Sequence, residues 1–463
     1  MIFKNITILD IFKKDGDENL SWAIIGVIMV FLFIPYGIYT DVRPYALLVV
    51  LYSFLMTRFK KPGAPFVVMA MALCIPSYMF QSEYYFLSEL TANKIRWIFL
   101  TVRLSVAISV IYNIVRGRKI FPFVGVVILA ALYGLVLCLY NTASNGLWRI
   151  INLLLYVHLF FAWCYYDKLS FNSFFKVIST IFICILVYGI LQYHFGITPY
   201  FDWYFVVYGG LNHPHASGIC GNALIFSAVV LSYHSVLLLK FLKEGKIDLI
   251  LLLATFYAAL ISLERTAILV IAIAWMFFFA MRMEKIKENT IILLLAAIVI
   301  TCAFSVPFFE NTIDILTDRF EEGSGHRFAA YPMVLAAVLD NIYGVGETGM
   351  MQAMQWYGKG ELLIWFGTLD NFYLTQILYY GVFAIFPILF YLYYFIKVLF
   401  LRKSNKDLFH TVILCFLPWI LIGFSFDIEA FMQLSLLYFG LLGYVWSIWD
   451  KNGDNQIERI VTN

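Results

Sequence analysis

Apolar runs of about 14 to 25 residues recur along almost the whole chain, and a helix of that length is what crosses the hydrocarbon core of a bilayer. They can be marked at approximately 22–39, 44–57, 65–80, 96–115, 120–140, 148–166, 174–196, 217–239, 247–262, 267–281, 290–308, 371–399, 409–425 and 430–449. The pattern predicts an all-α integral membrane protein of about fourteen transmembrane helices. The stretches 22–57 and 247–281 each hold two runs joined by a tight turn. Composition agrees, because 62% of the residues are hydrophobic and 13% charged, against roughly a quarter charged in an ordinary soluble domain. A chain of this kind cannot bury so much apolar surface in water and still present a charged exterior, so most of it must be solvated by lipid.

The net charge of +3 is small and evenly spread, which excludes a nucleic-acid partner and a polybasic membrane patch. Cys74, Cys138, Cys164, Cys184, Cys220, Cys302 and Cys415 all fall in apolar runs without a CxxC pair. They read as small buried hydrophobes, not as a disulfide framework or a metal site. Lys4, Lys13 and Lys14 precede the first run and no small-residue cleavage site follows it, so the N-terminus reads as a retained tail.

Orientation follows from the short basic connections. Arg58-Lys60-Lys61, Arg116-Arg118-Lys119, Lys240-Lys243-Lys246, Arg282-Lys285-Lys287 and Arg402-Lys403-Lys406 fall in alternate loops and are expected to face the cytoplasm. Both termini, 1–20 and 450–463, are then cytoplasmic tails, and 81–95, 141–147, 197–216, 263–266 and 309–370 are external. Residues 309–370 make one long external loop in an otherwise single polytopic membrane domain, and long loops are commonly functional. Within it, 308–322 and 327–341 have the spacing of short interfacial helices.

The external connections hold the candidate chemistry. Arg265, in Ser262-Leu263-Glu264-Arg265-Thr266, stands between two apolar runs where a charge is costly. Two readings stay open: an interfacial arginine paired with Glu264 or reaching the headgroups, and a clamp whose guanidinium matches diphosphate oxygens. Arg327 opens the second loop helix, as a membrane anchor or as a second positive charge over the site. Asp370 and Asn371, in Leu369-Asp370-Asn371-Phe372-Tyr373-Leu374, stand where the loop re-enters the membrane. They can cap the next helix, or Asp370 can act as a general base in a low-dielectric mouth.

His213-Pro214-His215 lacks a further ligand for a metal and reads as a polar lining of the mouth or as satisfied loop histidines. Trp356, Tyr357, Trp365 and Tyr373 offer faces for sugar rings or belong to the interfacial aromatic belt. Asp427 and Glu429 are reserve carboxylates. Gly344-Val345-Gly346-Glu347-Thr348-Gly349 fits GxGxxG without a preceding strand and reads as a turn, and Asp15-Gly16-Asp17 reads as a solvated tail.

Over about 205–400 the order of these motifs resembles the bacterial O-antigen polymerase and O-antigen ligase superfamily. The residues that carry the resemblance are the loop Gly210-Leu211-Asn212-His213-Pro214-His215, the helix start Arg265-Thr266-Ala267 and the Arg327-led helix in a long external loop. After them come Gly344-Val345-Gly346, Asp370-Asn371-Phe372-Tyr373-Leu374 and Gly381. The ligase branch carries histidine where this chain has Asp370, a departure that tilts the reading toward a polymerase of O-antigen, capsule or exopolysaccharide repeat units.

The resemblance implies a GT-C-like helical enzyme of the bacterial cytoplasmic membrane, acting at its outer face without cofactor or metal. Its partners would be an undecaprenyl-diphosphate-linked glycan donor and acceptor, membrane lipid and a chain-length regulator. Arg265, Arg327 and Asp370 are then the expected catalytic residues, and His213, His215, Asn371, Tyr373 and Trp356 the expected substrate-binding ones. The alternatives are a ligase that transfers glycan to lipid A-core and a lipid-linked oligosaccharide flippase. Transporters of the latter kind commonly have two related halves, which this chain lacks.

Overall fold

The computed structural model describes residues 20–75, 89–115, 156–167, 169–196, 216–245, 248–282, 325–357, 371–401, 406–425 and 432–461. Among them the architecture is helical throughout: α1 (Leu20–Tyr39), α2 (Val42–Arg58), α3 (Ala64–Leu73), α4 (Glu89–Val115), α5 (Tyr156–Tyr166), α6 (Phe171–Phe195), α7 (Ala223–Glu244) and α8 (Leu249–Ile261). Then follow α9 (Arg265–Met281), α10 (Gly325–Asp340), α11 (Gly346–Tyr357), α12 (Phe372–Tyr380), α13 (Ile385–Leu401), α14 (Lys406–Ile422) and α15 (Met432–Val461).

Among the described residues four helices, Leu20–Tyr39, Arg96–Val115, Phe171–Phe195 and Ala223–Glu244, are long and apolar enough to cross a membrane, and the bent pair at α12–α13 is either a broken span, which would make a fifth, or a re-entrant loop. Ala64–Leu73, Leu249–Ile261 and Arg265–Met281 are apolar but shorter, and at 1.5 Å per residue the 13 residues of α8 fall short of a bilayer core of about 30 Å. The expected runs 120–140 and 290–308, the expected surface helix 308–322 and residues 1–19 lie outside the described residues. The expected single span 371–399 is instead broken: α12 ends at Gly381, a 3-10 turn covers Gly381–Ala384, and the two apolar segments are bent by 116°. A helix also replaces the expected turn from Gly346 onward, and α15 continues past the expected tail boundary at 450.

The outward surface is that of a membrane protein. On α1, Trp22, Ile25, Met29, Leu32 and Tyr36 are exposed at intervals of three and four, a continuous apolar stripe that in water would be a liability. Some buried hydroxyls bond back to their own helices: Ser105 donates to the Thr101 carbonyl at 2.9 Å, and Ser179 to the Phe175 carbonyl at 2.7 Å. Pro35 inside α1 removes the N–H that would serve the Phe31 carbonyl, and the Tyr188 phenol of α6 donates to that carbonyl at 2.7 Å.

The bundle packs around α3 and α7, both almost wholly buried. α7 lies against α6, α8, α9, α14 and α15, while α15 runs along α5. At one end Asp167 joins three elements, accepting the Gly63 N–H at 2.7 Å and the Tyr444 hydroxyl at 2.5 Å. A second, small core of Met333, Val334, Ala337, Ala353, Leu374, Leu378, Tyr379, Tyr380 and Ala384 holds α10 and α11 against α12.

Candidate functional site

The turn between α8 and α9 presents the first candidate. The Ser262 hydroxyl donates to the Ala259 carbonyl at 2.7 Å, and Leu263 takes a left-handed conformation with φ 54°. That conformation costs a non-glycine residue roughly 1–2 kcal/mol. Burial of the Leu263 side chain against Leu260 and Ile268 offsets it. The chain can then restart a helix at once, with the buried Glu264 as N-cap and half-buried Arg265 as its first residue. Arg265 therefore stands in the first turn of α9, at the positive end of the helix dipole and next to the buried Glu264.

The loop with the paired histidines is anchored beside this turn. His213 and His215 themselves lie outside the described residues, but the N–H of Ala216, the next residue, donates to the Ile261 carbonyl at 2.8 Å. A buried glutamine fixes the following residues. Gln192 Oε1 accepts from the N–H groups of Ser217 and Gly218, each at 2.7 Å, and its Nε2 donates to the Ser217 hydroxyl at 2.8 Å.

The re-entry of the long loop is the third part. Asn371 is buried and caps α12, its Oδ1 accepting the Leu374 N–H at 3.0 Å. Its Nδ2 donates to the Phe424 carbonyl at 3.1 Å and to the Tyr331 hydroxyl at 3.3 Å. Tyr331 belongs to α10, four residues after Arg327, so the Arg327 backbone lies about one helical turn from the phenol's own Cα. Tyr373 donates to the Ile420 carbonyl at 3.0 Å and packs its ring on Phe424 with centroids 4.6 Å apart. Trp356, near the end of α11, is 83% exposed. Asp370 adjoins Asn371 in the chain but lies outside the described residues, as do Asp427 and Glu429.

Two features join these parts. The turn at 423–425 that ends α14 takes the Phe372 N–H at the Gly423 carbonyl (2.8 Å), and its Ser425 hydroxyl receives a hydrogen bond from Thr266 at 3.1 Å. Thr266, the residue after Arg265, and Asn371, 105 positions apart in the sequence, are thereby tied to the same three-residue turn. Secondly, the chain after α10 crosses the end of α12 so closely that two glycines meet. The Val345 N–H donates to the Leu378 carbonyl and the Val382 N–H to the Ile342 carbonyl, both at 2.9 Å. A Cβ on Gly344 would lie 2.3 Å from the Tyr379 carbonyl oxygen, and one on Gly381 would lie 2.0 Å from that of Ile342. Both also have positive φ, 83° and 53°.

The ends of α10 and α11 are pinned by Tyr357, whose hydroxyl donates to Asp340 at 2.7 Å. The carboxylate holds that phenol's pKa above its ordinary value. Among the described residues no group of three His, Cys, Asp or Glu side chains could hold a metal ion.

Sequence reasoning singled out Arg265, Asn371 and Tyr373, and Thr266 only as the motif neighbour of Arg265; it gave no role to Gln192, Tyr331 or the 423–425 turn. A Gly-Phe-Ser end to an apolar run was the visible signal for the last. No curated protein and no solved structure shows significant similarity to the chain. Residues 250–389, the stretch that supplies Arg265, α10, the crossing glycines and Asn371, match the family model described as O-antigen ligase, and over this stretch the chain is shown to resemble the O-antigen polymerase and ligase superfamily.

Proposed function

We propose that this protein is a polymerase that joins undecaprenyl-diphosphate-linked oligosaccharide repeat units at the outer face of a bacterial cytoplasmic membrane. The observation that carries the reading is the attachment of Thr266, at the start of the Arg265 helix, and of Asn371 to one turn at 423–425. In this reading the enzyme is GT-C-like with about fourteen spans, and the basic connections set its orientation with both termini inside.

A hydroxyl of the acceptor repeat unit attacks the donor's anomeric carbon, a new glycosidic C–O bond forms, and the C–O bond to the diphosphate breaks. Undecaprenyl diphosphate leaves with the bonding electron pair. Its charge grows as the bond breaks, so cations fixed nearby stabilise the transition state more than the bound donor. Arg265 and Arg327 supply that charge, and Asp370 takes the acceptor's proton. His213, His215, Asn371, Tyr373 and Trp356 line or build the sugar-binding mouth. The donor chemistry needs no metal or nucleotide sugar, and a chain-length regulator is a natural partner.

The test is genetic. Arg265→Ala and Arg327→Ala, expressed in a strain lacking its own polymerase, abolish the long-chain ladder on a gel while the protein level stays normal; an unchanged ladder removes both residues from the mechanism. The description of the matched family favours a second reading, a ligase. Its loss would leave lipopolysaccharide uncapped while polymer still accumulates on the undecaprenyl carrier, whereas loss of a polymerase leaves single repeat units.

A further inference from the structure

The 423–425 turn lies outside the stretch matched by the family model, yet it receives both parts of the proposed reaction centre. We propose that Ser425 is a positioning residue of the reaction: through Thr266 it fixes the first turn of α9, and with it Arg265, relative to Asn371 and the start of α12. This deepens the polymerase reading and rests on it.

The turn is well suited to the task. It closes α14 with its own backbone, the Gly423 N–H donating to the Trp419 carbonyl at 3.1 Å and the Ser425 N–H to the Ile422 carbonyl at 2.7 Å. Trp419 and Ile422 are buried in the main core, so the turn's position is set by the rigid bundle. On one side it holds α12 by backbone and amide bonds to Phe372 and Asn371. The Tyr373 ring covers Gly423 so closely that a Cβ there would meet it at 2.9 Å. On the other side, where α9 packs along α14, the Thr266 hydroxyl donates to the Ser425 hydroxyl at 3.1 Å. Thr266 is the residue after Arg265, and displacing the first turn of a helix displaces the side chain beside it. Reactions that depend on a placed charge lose about a hundredfold for a displacement of about 1 Å, so loosening one hydrogen bond is expected to cost roughly tenfold.

The experiment uses the full-length protein in lipid nanodiscs with undecaprenyl-diphosphate-linked glycan extracted from cells that lack it, and follows release of undecaprenyl diphosphate. Ser425→Ala and Thr266→Val each lower kcat roughly tenfold and move KM by less than about twofold, because the bond they remove positions a charge and does not bind substrate. The double variant is no slower than either single one, and Ser425→Thr, which keeps the hydroxyl, restores turnover. If Ser425→Ala fails to accumulate, Thr266→Val reads the same bond from the other side. Wild-type kcat in the single variants, or losses that multiply in the double, overturns the proposal. Arg265→Ala in the same assay separates the two claims: full turnover there removes the polymerase mechanism itself, whereas lost turnover beside unaffected Ser425 and Thr266 variants removes the positioning role alone.

Discussion

The main bundle and the small α10–α12 cluster are held together by different means. In the bundle, helices interlock through rings: Phe66 stacks on Tyr444 with centroids 4.4 Å apart, Phe182 on Tyr233 at 4.2 Å and Tyr391 on Tyr438 at 4.4 Å. The small cluster buries only one side of its helices. Leu335 and Leu339 of α10 are 61% and 70% exposed, and its register is set by the backbone crossing at Gly344 and Gly381. Where side-chain packing is deep, position follows from shape and volume. Where it is shallow, hydrogen bonds and the absence of a side chain must fix it. The parts of the proposed site sit on this boundary, with Arg265 and the 423–425 turn on the bundle and the Arg327 helix on the cluster.

Substitutions in the two regions should therefore fail in different ways. The largest expected effect is in the bundle, where Phe66→Ala removes a ring with no exposed surface and lowers stability by about 3–5 kcal/mol. Unfolding in mixed micelles measures it, and the fraction that stays folded keeps normal turnover. Next, Gly381→Ala forces the crossing segments 342–345 and 378–382 apart and lowers turnover about a hundredfold, about 2.7 kcal/mol at the transition state. It moves the unfolding midpoint of the bundle little; a large drop in stability with unchanged turnover would erase the distinction between the regions. Tyr444→Phe removes a hydrogen bond to the Asp167 carboxylate and costs about 2 kcal/mol of stability, again without slowing the folded enzyme. The smallest effect is Tyr331→Phe, which takes from Asn371 the longer of its two donor contacts and slows turnover about threefold.

The same contrast explains what could be read from the sequence. The apolar run 22–39 became the helix Leu20–Tyr39, and 267–281 became Arg265–Met281, whose start follows directly on the Ser262-Leu263-Glu264 turn. The break in 371–399 was hidden: hydropathy stays high across Gly381, and the bend is made by a close approach to Ile342 that no local pattern encodes. Both crossing glycines stood out as motif positions, but not as each other's neighbours. In the site, Arg265 announced itself as a charge between apolar runs. Ser425 did not, because its partner Thr266 is 159 residues away and a serine at the end of a helix is commonplace. Asn371 was legible as a cap, and its second duty, donating to Phe424 and Tyr331, required the fold.

The central claim is that a guanidinium fixed at the start of α9 stabilises a departing lipid diphosphate. It is tested most directly by single-turnover release of undecaprenyl diphosphate from the extracted lipid-linked glycan at saturating donor, comparing the wild-type protein with Arg265→Ala in nanodiscs. The account predicts that release slows about a hundredfold or more while donor binding changes little. Release at the wild-type rate would contradict it.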